Sequence, residues 1–555
     1  MPGPLAAMTQ PNTLSTSLWH RRLTMTAVTG FAFFLYLLTA APGLTWAHHG
    51  ADGGELLAAA VTNGVPHPPG YPLYIVLLQG WLWLTGILFP NTDIAWRGSL
   101  LSVVCAAGSV GVTVRVAAYF LRKSERSWLW AGLTGVAWSV APLPWSQALI
   151  TEVYALHMLF VALLGWALFV KRRQDHWLLL VMALGIAHHL TFVLLLPAVL
   201  YECWFVRAVR GNGSPQRQRW RYLMLFAAAG VLAALLHIRT PLAAMAPVPS
   251  PVNWGYPDNW DGFWWLVSGK AYRSYLFGAP SSTLLARVAA WASTLTTQLT
   301  PVGLAVMLIG LANWDRQQPH LRNFSLLWLT PISIYAINYY TRDSEIYLLP
   351  VVWLSMLWFG VGLITLVAWL ATEWPLWQQQ WLARQGRNPA TNENALAGRD
   401  PSSPRLNGQI TNGIALIALV GLLALTGWRW TTISARSDFR AAYFLRETIA
   451  VLEPRSIIIS SADSETFALW YGAWGSGELL ERYPDTVLLN YALFQFPWYR
   501  RLVAAQYPLV VGDSSSVEEI LARNADRPIF FSEALPYWPA EQMEAVGPIW
   551  RYLGP

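Results

Sequence analysis

Two carboxylates three residues apart are the first residues in this chain whose types and spacing suit chemistry. Asp52 and Glu55 stand in His48-His49-Gly50-Ala51-Asp52-Gly53-Gly54-Glu55-Leu56-Leu57, and on a helix they share a face. A carboxylate in that place can take a proton from a hydroxyl, and it is costly to desolvate at a bilayer edge unless it is used. The same spacing ahead of an apolar run also reads as a helix cap closed by Asn63-Gly64, and spacing alone leaves both readings open.

The next candidate is His67, in Pro66-His67-Pro68-Pro69-Gly70-Tyr71-Pro72, where the prolines fix the backbone and hence the direction of the imidazole. A stiff turn would explain those prolines equally well. Glu152 and His157 follow in Thr151-Glu152-Val153-Tyr154-Ala155-Leu156-His157. Glu152 suits a helix N-terminus as an anion, and His157 suits a hydrogen bond inside a helix bundle. His188 and His189 are adjacent, so they point apart, and no further ligand spacing accompanies them; nothing supports a metal. Arg342 and Asp343 lie in Tyr340-Thr341-Arg342-Asp343-Ser344-Glu345. Arg342 either pairs with its acidic neighbours or presents a guanidinium to a phosphate.

The elements that must hold these residues are membrane helices. Of 555 residues 55% are hydrophobic and 12% charged, against about 25% charged in a soluble domain. Apolar stretches near the roughly 20 residues that span a bilayer recur through the first three-quarters of the chain. The two cysteines, Cys105 and Cys203, lie inside such stretches and imply no disulfide framework. The net charge of +7 is not a nucleic-acid signature, because the basic residues sit in short clusters between apolar runs. Clusters at 21–22, 122–126, 171–173, 207–221, 316–322 and 384–405 hold 19 of the 37 Lys and Arg, while the loops between them hold four, so the richer set faces the cytoplasm.

That parity predicts about eleven spans. It also requires 71–89 to lie on or re-enter the outer face without crossing. Residues 176–206 then form a hairpin with the histidines at its outer tip. The organisation expected is a cytoplasmic N-terminus over 1–24, a transmembrane core over 25–370, a disordered cytoplasmic loop over 371–411, a last span over 412–429 and an exoplasmic α/β domain over 430–555. A cleaved signal peptide ending near Ala47 is an alternative start. In the last domain four short apolar runs, beginning at Ser456, Thr486, Leu509 and Ile529, predict a largely parallel sheet.

Taken in order, Asp52-Gly-Gly-Glu55, His67-Pro-Pro-Gly-Tyr-Pro72, Thr151 to His157, Gly185-Ile-Ala-His-His189, Val252-Asn-Trp-Gly255, Tyr272-Arg273, Arg342-Asp343 and, in the last domain, Asp463-Ser-Glu-Thr-Phe467 form a specific pattern. It resembles the membrane family, long catalogued as a domain of unknown function, that includes the animal transmembrane O-mannosyltransferase acting on extracellular protein domains. The resemblance covers nearly the whole chain, with nothing familiar over 373–411. It implies a GT-C glycosyltransferase that takes a sugar from a polyprenyl-phosphate carrier and inverts its anomeric centre. An acidic residue of the first outer loop would act as base, which points to Asp52 with Glu55 as substitute. His67, Tyr71, Glu152, His157, His188, His189, Lys270, Arg273, Arg342 and Asp343 form the candidate substrate-binding set, and no cofactor is expected.

The expected partners are membrane lipid, a polyprenyl-phosphate sugar and a protein, lipid or glycan acceptor, with no nucleic acid. The expected location is the cell membrane, multi-pass, with the C-terminal domain exoplasmic. The runner-up is a transporter or flippase for a lipid-linked sugar, which the lack of paired inverted halves weakens. A third reading is a catalytically silent protein that presents its outer domain.

Overall fold

The computed structural model describes residues 13–124, 126–211, 213–384, 404–534 and 538–554. Seven described helices are long and apolar enough to cross a bilayer: Trp19–Thr39, Ile94–Phe120, Leu190–Arg210, Pro215–Ala244, Ser281–Ala312, Ser344–Ala371 and Gly408–Ile433. Three shorter apolar helices, Pro72–Leu88, Tyr154–Val170 and Asp175–His188, stand among them. The chain is therefore a multi-pass membrane protein. The first elements are α1 (Thr13–Thr39), α2 (Asp52–Val61), α3 (Pro72–Leu88), α4 (Ile94–Phe120), α5 (Ser127–Val140), α6 (Pro142–Gln147), α7 (Tyr154–Gly165) and α8 (Asp175–His188).

Helix α4 is the centre of the bundle and packs against α1, α5 and α7. Small residues let backbones meet where no apolar solvent contrast drives helices together. Between Ser281–Ala312 and the helix after Ser344 the approach is main chain on main chain. A Cβ on Gly310 would stand 1.8 Å from the Trp358 carbonyl oxygen, and one on Gly362 would stand 2.0 Å from that of Val306. The 17-residue α3 begins with Pro72 in its first turn and turns Val76, Trp83 and Ile87 outward, an apolar outer face.

Two stretches expected to be irregular are helical. Residues 371–384 continue the helix Leu349–Arg384, and 404–411 begin the helix Pro404–Ile433. Leu, Gln, Ala and Arg are good helix formers, and Pro404 stands at the first helical position, where its missing N–H costs nothing. The remainder of the expected loop, 385–403, lies outside the described residues.

The C-terminal part carries a small five-stranded sheet. Its strands are β1 (Ile457–Ser460), β2 (Val487–Asn490), β3 (Ile529–Phe531), β4 (Met543–Val546) and β5 (Ile549–Tyr552), in the order β2-β1-β3-β5-β4. β1 pairs parallel with β2 and β3, with Ile458 opposite Leu488 and Phe530. β5 runs antiparallel to β3 and β4, so the sheet is mixed rather than largely parallel. Three of the four expected runs are strands. Leu509-Val510-Val511 is a turn, because it follows Pro508 at the end of the helix Pro497–Gln506 and Val511 N–H donates back to the Tyr507 carbonyl at 2.9 Å. The Asn524 amide holds the Val510 carbonyl at 3.0 Å, which leaves the segment nothing to offer a ladder.

This domain is clasped to the bundle through the segment after α1. Asp438 Oδ2 accepts from Thr45 Oγ1 at 2.6 Å and from the backbone N–H groups of Trp46 and Ala47 at 3.0 and 2.9 Å. Tyr471 donates its hydroxyl to Asp93 at 3.0 Å, and Trp46 Nε1–H donates to the Ser464 carbonyl at 3.1 Å.

Candidate active site

Helix α2 starts without a side-chain cap: Ala51 is the cap residue, and neither Asp52 nor Glu55 accepts a bond from the helix's own first turn. The capping reading of the two carboxylates therefore fails, while the stop does not. Asn63 takes a left-handed conformation (φ 55°) and Gly64 N–H returns to the Ala59 carbonyl at 2.7 Å. The glycines between the acids have a different task. A Cβ on Gly53 would meet the Thr151 carbonyl at 2.9 Å, and one on Gly54 would meet that of Phe467 at 2.3 Å. Asp-Gly-Gly-Glu thus wedges α2 between the loop before α7 and the helix Asp463–Trp470 of the C-terminal domain.

The segment after α2 turns back over it. Val65 N–H donates to Val252 and Trp254 N–H to Val65, at 2.8 and 3.0 Å, which holds the turn against the loop 250–255. Gly70 N–H closes on the His67 carbonyl at 2.9 Å, and Tyr71 enters α3 with φ 38°. His67 is thereby inserted between the carboxylates. Its Nδ1 is hydrogen-bonded to Glu55 Oε2, its own N–H donates to Glu55 Oε1 at 3.1 Å, and its Nε2 stands 3.6 Å from Asp52 Oδ2. Tyr71, Trp254 and Tyr272 surround the imidazole, with ring centroids 5.2, 6.3 and 6.3 Å away.

Burial alone would depress His67, yet the charges of Glu55 and Asp52 carry it up to about 10, so it is an imidazolium at neutral pH. Burial pushes the Asp52 carboxyl up to about 6 against the pull of His67, and burial raises Glu55 also.

Asp52 opens into a cavity of about 1290 Å³ whose wall includes His67, Tyr71, His189, Arg273, Arg342 and Asp343. Those seven of the expected residues are brought together. Arg342 is exposed and forms no hydrogen bond or ion pair among the described residues, and Glu345 stands instead 3.6 Å from His49. The loop around Arg342 is pinned by Arg287, whose guanidinium donates to the Ile337 and Tyr339 carbonyls at 2.5 and 2.6 Å and to Ser344 Oγ at 2.8 Å.

Five expected residues do not line the cavity. Glu55 is fully buried behind His67. Glu152 accepts from the Val153 N–H at 2.9 Å at the entrance to α7, which is the anchoring reading of that residue. His188 is turned to the Val153 carbonyl at 2.9 Å, while its neighbour His189 faces the cavity. His157 lies against His189, ring centroids 5.0 Å apart and planes tilted by 52°. Lys270 is exposed at the start of a short 3-10 turn, and only Arg273 of that pair reaches the wall. Among the described residues no three His, Cys, Asp or Glu side chains are grouped as metal ligands.

The cavity also has walls that sequence reasoning did not assign. Tyr154, Tyr272, Tyr335, Tyr339 and Tyr347 line it, and so does Asp463, from the C-terminal domain. Burial, and then the charge of Asp52, push Asp463 up to about 6. The signal for Asp463 and Tyr272 was their place in the ordered motif pattern; nothing in spacing could bring Asp463 to Asp52.

A helical membrane bundle with a small C-terminal sheet domain is the GT-C fold of ArnT. The apo crystal structure of ArnT from Cupriavidus metallidurans superposes with a TM-score of 0.58, covering 97% of each chain at 14% identity. The structure of the same protein bound to undecaprenyl phosphate gives 0.54, covering 95% of this chain and 97% of that one, also at 14% identity. Identity at that level speaks for the fold alone.

A more particular likeness lies in the first loops. The family model of the protein O-mannosyl-transferase TMEM260 N-terminal domain matches residues 52–212. The mouse (Mus musculus) protein O-mannosyl-transferase TMEM260 is 50% identical over 52 residues, which are 9% of this chain and 7% of the mouse protein. The relationship is O-mannosyltransferase-like and GT-C in kind, as the sequence pattern implied.

Proposed function

We propose that the chain is a membrane glycosyltransferase that moves a sugar, mannose by analogy with its relative, from a polyprenyl-phosphate carrier to a hydroxyl on the exoplasmic side. The observation that carries this reading is Asp52 on the wall of a large cavity that also presents the unpartnered Arg342. The mouse relative is a protein O-mannosyl-transferase, and a structure of the fold has been solved with undecaprenyl phosphate bound; both support a lipid-borne donor.

The acceptor oxygen attacks the anomeric carbon, the bond from that carbon to the carrier phosphate breaks, and the acceptor proton passes to the Asp52 carboxylate. One displacement inverts the centre. The electron pair leaves on the phosphate, where Arg342 and Arg273 offset the charge. A raised base near 6 suits a proton transfer at neutral pH. The cavity faces outward, with the C-terminal domain exoplasmic in the cell membrane, by the parity of basic loops. The carrier supplies the activated sugar, so no cofactor is required.

The test is complementation of a deletion strain. Wild type should restore a surface-glycan signal that Asp52→Asn does not, at equal amounts of folded protein. Restoration by Asp52→Asn would remove the transferase reading.

A further inference from the structure

The mechanism above uses Asp52 and leaves Glu55 and His67 without a part, although they are among the most constrained polar groups in the molecule. Glu55 is wholly buried and spends both oxygens on His67, one on the ring Nδ1 and one on the backbone N–H. That double grip fixes the ring plane, and it aims Nε2 at Asp52, 3.6 Å away. Neither group is placed to meet a substrate first: Glu55 is absent from the cavity wall, and His67 is 8% exposed.

We infer that Glu55 and His67 are a positioning pair, in which Glu55 orients the His67 imidazolium and the imidazolium holds Asp52 deprotonated and turned toward the cavity. This rests on the proposed role of Asp52. It reassigns both residues: Glu55 is no substitute base, since its oxygens already accept from His67, and His67 is no substrate ligand. The imidazolium already carries both ring protons, so the acceptor's proton stops on Asp52 and does not travel to His67.

The other charged or titratable groups around the pair pull in both directions. Asp343, Asp463 and Glu152 raise the carboxyls by repulsion, and His49 lowers Asp52. Tyr71 and Tyr272 face the same space as neutral phenols. Among these His67 is the strongest pull on Asp52 toward the anion, second only to burial in effect. Removing its charge should therefore raise the pH at which Asp52 ionises.

Dicyclohexylcarbodiimide, which reacts with protonated carboxyls, reads this without any substrate. Purified full-length protein is labelled across a pH series centred on about 6, and modification at Asp52 is read by peptide mass spectrometry. Half-labelling of wild type is expected near that value. His67→Gln should move it upward by roughly 1–3 pH units, whereas Glu55→Gln removes a neighbouring anion that raises Asp52 and should move it downward as long as His67 keeps its proton.

His67→Gln leaves Glu55 buried without a cation. The double variant Glu55→Gln/His67→Gln keeps a neutral amide pair, and it decides the matter should the single variant not fold. A folded His67→Gln variant with the half-labelling pH of wild type overturns the inference, as does a double variant with the half-labelling pH of Glu55→Gln alone. The two claims fail separately: a shift in labelling together with sugar transfer by Asp52→Asn leaves the pair standing and removes the transferase reading. No shift, with Asp52→Asn inactive, does the reverse.

Discussion

Among the described residues a cluster of buried ionisable groups lies beneath the Asp52 cavity and another is sealed in the bundle, and each sets a glutamate against a histidine. In the sealed cluster Glu202 lies 3.1 Å from His320 Nε2 and 3.5 Å from Arg207 Nε, all three being almost wholly buried. Arg207 continues to the Ala167 and Leu168 carbonyls. Those carbonyls belong to the π-helical stretch Trp166–Val170, and Glu202–Arg207 is itself π-helical, so the wider turns free backbone acceptors that the guanidinium then fills. Glu202 is fully buried and does not line the cavity of about 1290 Å³, whereas Asp52 stands on its wall. The lesson is that an acid in a membrane protein does not announce catalysis by being there. What separates the two acids is access to the cavity.

The largest effect expected from that contrast is at Asp52. Asp52→Asn should cut sugar transfer by roughly 10²–10⁴-fold, the usual yield of a positioned base, and leave the melting temperature near wild type, since no helix-capping bond is lost. Glu202→Ala should do the opposite. It strands Arg207 and His320 in the bundle at a cost of about 3–5 kcal/mol, read as lost thermal stability and yield, while transfer per folded molecule holds. Loss of transfer without loss of stability in Glu202→Ala would break the comparison.

Arg342→Ala comes next. It should weaken binding of a polyprenyl-phosphate sugar by roughly 1.5–3 kcal/mol in a titration with stability unchanged; a drop in stability alone would make Arg342 structural. Under the proposed mechanism Asp52 also sets a pH limb. A base with its carboxyl near 6 is active above that pH and lost below it, so transfer should fall as pH drops through about 6. The smallest perturbations test orientation. A cysteine reporter at the exposed Ser515 should be labelled in intact cells and one at Ser402 should not, and a reporter at Asn91 should be exoplasmic if α3 does not cross.

Much of the outer site was legible because its signals are local. Asn63-Gly64 ends α2 as written, the proline-flanked His67 is held where stiff backbone would put it, and Asp52, Tyr71, Arg273 and Arg342 share one cavity. The same ordered motifs carried the GT-C likeness. What escaped is what depends on distant partners. The spacing of Asp52 and Glu55 fits a capping box, yet Glu55 is claimed by His67, twelve residues on. His188 and His189 look equivalent as a pair, and the neighbouring Val153 carbonyl separates their fates. In the sheet, the hydrophobic runs of β1, β2 and β3 were readable because they are fully buried. β4 and β5 carry Glu544 and Arg551 on half-exposed faces and gave no such run.

The bare contact of Gly54 on the Phe467 carbonyl bears on how this molecule can be taken apart. Where two segments meet through side chains, either can drift in sequence and the other can adjust. Here there is no side chain to adjust, and the helix that supplies Phe467 also carries Asp463 to the cavity wall. A chimaera that exchanges the C-terminal domain with that of a relative would therefore inherit a misfit at the loop that carries Asp52 unless residues 44–54 travelled with it. The C-terminal domain and the first loop are one heritable unit, though almost the whole chain lies between them.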